Sequence, residues 1–197
     1  MQKPDHPISI QDAQRVLSDH YNGTPYDLTN SKNKGQATFR PITVATTQES
    51  HLLQLRDDDM IHWLAMGIAA QSVYIPFYPQ GTKVPTMFKY GKETYTTNSA
   101  YWVFKEASVL VDRNWNKYAT ALNNTQKETN LALNKIRHDY DQKLVQEANP
   151  TQKTNLVNEA NKKMADTAIK NYQKLIAQLI TDQTADSPLR FTMDPNL

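Results

Sequence analysis

Cysteine is absent from all 197 residues, which excludes disulfides, thiolate metal sites and a cysteine nucleophile within this chain. A large excess of one charge is missing too. Lys plus Arg number 22 against 20 Asp plus Glu, a formal net charge of +2, too little for the dense positive stripe that binding to a phosphate backbone requires. Nucleic acid is therefore not an expected partner. No apolar run approaches the roughly 20 residues of a membrane span, and the opening MQKPDHPISI holds no apolar stretch that could serve as a secretory signal. The expectation is a soluble cytoplasmic chain that meets no membrane. A G-x-S-x-G elbow, a phosphate-cradling glycine loop and an H-E-x-x-H zinc helix are also lacking.

What is present suffices for a real core, since a body of this length buries roughly 70% of its unfolded surface. Ser9 precedes Ile10, Ala13, Val16 and Leu17 at helical spacing, and Asp12 stands where a capping box places an acid. That predicts a short helix, ended by Gly23 and Pro25 in HYNGTPYD, where Asp27 and Asn30 favour turns. Between Phe39 and Tyr78 the runs FRPITVAT, SHLLQLR, IHWLAMG and SVYIPFY predict about four antiparallel strands, followed by an extended loop through PQGTKVPTMFKYG. From Ser99 the period is helical through Ala107, Leu110, Trp115, Leu122, Leu133, Tyr140 and Leu144, with a polar gap at NNTQKETN. A second apolar set runs from Leu156 to Leu179. Asn149 as cap and Pro150 as first helical residue predict a chain reversal between the two.

The resulting class is α+β, with a helix and antiparallel strands over residues 1–98, a long antiparallel helical hairpin over 99–185, and a tail over 186–197 that frays or docks by Leu189 and Phe191.

Polar residues concentrate in TQESHLLQLR. In a strand Ser50, Leu52, Gln54 and Arg56 point one way while His51, Leu53 and Leu55 point the other. His51 thus shares an apolar face; a hydrogen-bonded core histidine is the plainer reading, and a catalytic role needs a nucleophile for it to serve. Arg56 lies beside Asp57, Asp58 and Asp59, and reads as a turn with local charge pairing or as a clamp for a substrate carboxylate. Three adjacent carboxylates cannot all face one ion and do not follow calcium-loop spacing, so no metal is expected, nor any cofactor. His20, Tyr21, Tyr26 and Asp27 could line a pocket or anchor a helix-ending turn. Tyr74, Phe77 and Tyr78 could offer a pocket with hydroxyl handles, although core packing explains most of them.

Three stretches change the weighing. DHYNGTPYDLT from 19 to 29, RPITVATTQESHLLQLR from 40 to 56, and SVYIPFYPQGTKVP with SAYWVFKEAS between 72 and 108 resemble, in order and approximate spacing, the C-terminal half of the cysteine dipeptidases of lactic acid bacteria, the dipeptidase A family of the N-terminal-nucleophile hydrolases. The resemblance covers residues 8–116. It implies one side of an αββα sandwich and a mature enzyme whose first residue, a cysteine, attacks the peptide carbonyl while its own α-amino group acts as base. This chain has no such residue, and the thioether of Met1 cannot replace it.

The resemblance therefore implies a supporting C-terminal portion, inactive alone, whose partners are a dipeptide substrate and the missing N-terminal half. By looser analogy Arg56, His51 and Glu49 become candidates for positioning the substrate termini, Arg56 first because a dipeptide offers a carboxylate. An uncovered sheet face predicts self-association as a homo-oligomer. The rival reading is a stand-alone interaction module built on the helical hairpin and its polar gap. A complete hydrolase using Ser50 or a threonine with His51 is disfavoured, because strand neighbours face opposite ways.

Overall fold

Ser9 and Asp12 bond reciprocally at the start of α1 (Ile10–Leu17), each side chain accepting the other's backbone N–H at 3.1 Å. The capping box read from the sequence is thus formed. The computed structural model describes residues 7–29, 39–57 and 59–189. Asn30, Asp58 and Phe191 lie outside the described residues.

Three strands form one antiparallel sheet in the order β1 (Glu49–Leu55), β2 (Met60–Met66), β3 (Ile75–Phe77). The register pairs Leu53 with His62 and His51 with Leu64, and His62 with Phe77. The fourth expected strand, FRPITVAT, is not a strand. Its backbone bonds outside any ladder instead: the Thr43 N–H donates to the distant Asp19 carbonyl at 3.1 Å and the Val44 N–H to the nearby Thr47 hydroxyl at 3.0 Å, while Pro41 has no N–H to give.

The expected helical hairpin of 99–185 is three helices: α2 (Ala100–Asp112), α3 (Trp115–Gln146) and α4 (Pro150–Ala185). Asn114 makes the extra break, its side chain accepting the Lys117 N–H and starting a new helix. Asn149 caps α4 with Pro150 at its first turn, as the sequence implies. The polar gap at 123–130 is not an interruption, because α3 runs through it. Its residues serve internal contacts: Gln126 donates to the carbonyls of Ala70 and Ser72 at 3.0 and 2.8 Å, and buried Thr129 accepts from Asn171 at 3.1 Å. This removes the gap as a reason to read the hairpin as an interaction module.

Helices α2, α3 and α4 cover the face of the sheet that carries Trp63, Ala65 and Tyr74. Helix α4 presents Val157, Ala160, Met164, Ala168, Tyr172, Leu175 and Leu179 as one buried stripe, and its alanines let α2 and α3 approach closely. Tyr172, fully buried, lies 4.4 Å from Phe104 between ring centroids and donates its hydroxyl to the Gln71 carbonyl at 2.9 Å. Beyond β3, the Asn161 amide holds both backbone groups of Tyr78 at 2.8 Å, acting as a strand would. Among the described residues no helix is long and apolar enough to cross a membrane.

Replacing Asn161 by Ala strands a buried N–H and a buried C=O and should cost about 2–4 kcal/mol, read as a lower urea midpoint. Gly81→Ala should weaken the same junction, because its Cβ would stand 2.8 Å from the Asn161 side-chain nitrogen.

Candidate functional site

Alternation along β1 separates its polar residues. Ser50 faces the helices, bonded to the Tyr74 hydroxyl at 2.8 Å, whereas Glu49 and His51 stand on the opposite face. Ser50 and His51 therefore cannot pair as nucleophile and base. His51 is not the core histidine that its apolar face suggests: its side chain is 55% exposed, because no described residue covers that face along β1, whereas over β3 it is closed, Ile75 being fully buried and Phe77 packed edge-on against Phe88. Leu53 and Leu55 beside it are 61% and 77% exposed. The His51 ring meets His62 edge-on at 5.6 Å between centroids, and Nδ1 lies 3.8 Å from Glu49. Burial, and then the charge of His51, push the His62 imidazole below its ordinary pKa.

Arg56 sits apart from this pair. Its guanidinium bonds Asp59 across the turn and grips Asp141 of α3 through two nitrogens at 3.0 and 3.1 Å. The local charge pairing is realised, and a substrate carboxylate would compete with two resident ones. Asp141 also accepts from the Tyr78 hydroxyl at 2.7 Å and from Arg137 at 2.9 Å. Burial raises the Asp141 carboxyl, but the bonds from Arg56 and Tyr78 and the charges of Arg56 and Arg137 outweigh it and hold the group below its usual range.

The HYNGTPYD turn is built around Asp27, which is buried. It accepts from the Gly23 N–H at 2.9 Å, from the Thr29 N–H at 2.9 Å and hydroxyl at 2.7 Å, and faces His20 Nδ1 at 3.0 Å. Burial again works against ionisation and these partners prevail, leaving the carboxyl below its ordinary value. Tyr21 takes a left-handed backbone at φ 64° to make the turn, and its ring packs edge-on against Tyr26.

Beside the turn lies a cavity of about 290 Å³ lined by His20, Leu28, Thr43, Val44, Ile68, Gln71, Asp112 and Trp115 among others. The sequence reading found His20 there but not Thr43, Gln71 or Asp112. Those three come from a loop, a 3-10 turn and the end of α2, and no spacing in the chain signals their meeting.

The chain matches the model of peptidase family C69 over residues 1–128. It is 27% identical to the probable dipeptidase B of Lactococcus lactis subsp. lactis (strain IL1403), covering 93% of this chain and 40% of that protein. It is 28% identical to a probable dipeptidase of Latilactobacillus sakei, covering 100% and 42%, and 29% identical to dipeptidase A of Lactobacillus helveticus, covering 89% and 38%. The chain thus spans about two fifths of the length of the curated relatives it matches.

A carboxyl whose folded pKa is lowered stabilises the fold above the ordinary carboxylate pKa of about 4 and loses that contribution as pH falls through the folded value. Asp141→Asn should therefore lower stability at pH 7 and flatten its fall between about pH 5 and pH 2, as followed by denaturant unfolding. Arg56→Ala leaves two half-buried carboxylates short of their cation and should destabilise by about 1–3 kcal/mol at pH 7.

Proposed function

Since the chain belongs to peptidase family C69, we propose that it is the supporting portion of a cytoplasmic enzyme that hydrolyses short peptides, dipeptides first among them, and that residues outside this chain carry the nucleophile. The observation that carries this reading is the uneven sheet. One face is sealed under helices, while the other, closed over β3 by contacts such as Phe77 with Phe88, turns Leu53, Leu55 and His51 of β1 to solvent. Apolar sheet faces of this kind are stable under a second layer. In an N-terminal-nucleophile sandwich that layer is another sheet, and the three fifths of the relatives that this chain does not span are long enough to supply it. The same segment would bring the cysteine, whose thiol passes its proton to its own amino group and attacks the carbonyl carbon; the amide C–N bond then breaks as that ammonium protonates the departing amine, and water hydrolyses the thioester acyl-enzyme to the free acid and the thiol.

Glu49 and His51 stand on the bare face and are the residues we assign to positioning the substrate termini. Arg56 holds the β1–β2 turn against α3, its donors being occupied by Asp59 and Asp141. Its influence on substrate passes through that turn. Without the covering layer, the bare faces of two copies should meet, giving a homo-oligomer.

The purified chain should not hydrolyse dipeptides, and turnover should appear on addition of a complementary segment beginning with cysteine. Dipeptide cleavage by the chain alone, persisting after rigorous removal of contaminating peptidases, overturns the reading. Light scattering should find self-association at high concentration, shifted toward monomer by Leu53→Lys with Leu55→Lys; a clean monomer before substitution argues against a face that needs cover.

A further inference from the structure

At Glu49 the open face of β1 runs into a cleft of about 680 Å³. Met66 lines it from the sheet, paired with Glu49 in register and therefore on the same face. Phe88, closing the 3-10 turn Thr86–Phe88, lines it together with the loop 89–93, and the first turn of α2 adds Tyr101 and Trp102. The two α2 aromatics do not serve the core. Ala100, Val103, Phe104 and Ala107 form the buried stripe of that helix, and Tyr101 and Trp102 stand off it, half-buried, beside a Tyr90 that is 52% exposed. Side chains fasten the loop to α2: Ser99 Oγ donates to the Tyr90 carbonyl at 2.7 Å, Trp102 Nε1 to the Lys92 carbonyl at 2.9 Å, and the Tyr95 hydroxyl to Glu106 at 2.8 Å. The Trp102 ring meets Tyr101 and Tyr95 edge-on, at 5.1 and 5.8 Å between centroids. Aromatic surface is thus fixed around a concavity instead of being buried, which is the state of a preformed pocket.

Four charged side chains line the cleft, Lys89 and Lys92 against Glu49 and Glu93. A ligand side chain of either sign meets its like as well as its opposite there, so the apolar and aromatic surface decides what enters. Glu49 differs from the other three in rising from a strand. Among the described residues its carboxylate makes no hydrogen bond, and His51 Nδ1 lies 3.8 Å from it. A carboxylate so placed suits an ammonium. We propose that the cleft is a specificity pocket for the side chain of the substrate's first residue, selecting aromatic and other large apolar side chains, while Glu49 takes the adjoining α-ammonium. The volume, within the ordinary range of ligand pockets, admits an aromatic side chain with the backbone beside it. A peptide as the natural ligand rests on the peptidase reading above, whereas binding needs no nucleophile and is measured without turnover.

The test titrates the 197-residue chain with L-phenylalanyl-glycine, glycyl-L-phenylalanine, glycyl-glycine and N-acetyl-L-phenylalanyl-glycine at about pH 7, where the α-ammonium is charged, followed by calorimetry and by tryptophan fluorescence. Phenylalanyl-glycine should bind saturably and about tenfold or more tightly than glycyl-glycine, as expected for burial of an aromatic side chain. It should also bind more tightly than glycyl-phenylalanine, which carries the same ring on the second residue. Acetylation removes the charge facing Glu49 and should weaken binding about tenfold or more. Glu49→Gln should weaken phenylalanyl-glycine similarly and leave the acetylated ligand unaffected, and Trp102→Phe should remove the fluorescence change. Equal affinity for phenylalanyl-glycine and glycyl-glycine, a preference for glycyl-phenylalanine, or no saturable binding of phenylalanyl-glycine by the native chain overturns the proposal without reliance on any variant. Selective binding with no turnover after reassembly with the complementary segment would sink the peptidase reading and leave the pocket standing; turnover without selective binding would do the reverse.

Discussion

A three-stranded sheet has too little of its own to stay folded in water, and here it depends on α4. That helix runs beside β3, packs on α2 and α3, and puts an amide against the backbone of Tyr78 and a phenol against the carbonyl of Gln71. Hydrophobic burial along its stripe supplies the driving force, while the two polar contacts choose where along the sheet the helix comes to rest. Sliding α4 by one turn, about 5.4 Å, would break both polar contacts at once. The position of the cavity wall follows from that fixed register, because Gln71, one of its residues, is bonded to the helix.

The two sides of the sheet divide the chemistry. On the covered side charges are matched: Arg56, Asp59, Asp141, Tyr78 and Arg137 close one network that ties the β1–β2 turn to α3. On the uncovered side two imidazoles and Glu49 stand among leucines with few partners. Resident charges answer resident charges on the covered side, whereas on the open side of β1 His51 approaches, among the described residues, only Glu49, at 3.8 Å, and the ring of His62.

Features set by neighbours along the chain were legible in the sequence. Ser9 with Asp12, and Asn149 with Pro150, act within a single turn, and the helical stripe of α4 is a matter of period alone. What escaped depends on distant partners. FRPITVAT has the composition of a strand, but the carbonyl of Asp19 and the hydroxyl of Thr47 take its N–H groups. The apolar alternation around His51 reads as core because pattern records a face's character and not whether something lies upon it. Gln126 and Thr129 looked like a gap because their partners at Ala70, Ser72 and Asn171 are far away in sequence. The cavity was half visible through His20, and its polar lining residues Thr43, Gln71 and Asp112 could be gathered only by the fold.

The sheet also has a direction of growth. Beyond β3 the Asn161 amide occupies the backbone of Tyr78 and closes that end, while among the described residues no backbone group bonds the outer margin of β1. A further strand, whatever its origin, can join this molecule from one flank only, and it would do so without disturbing a single existing bond.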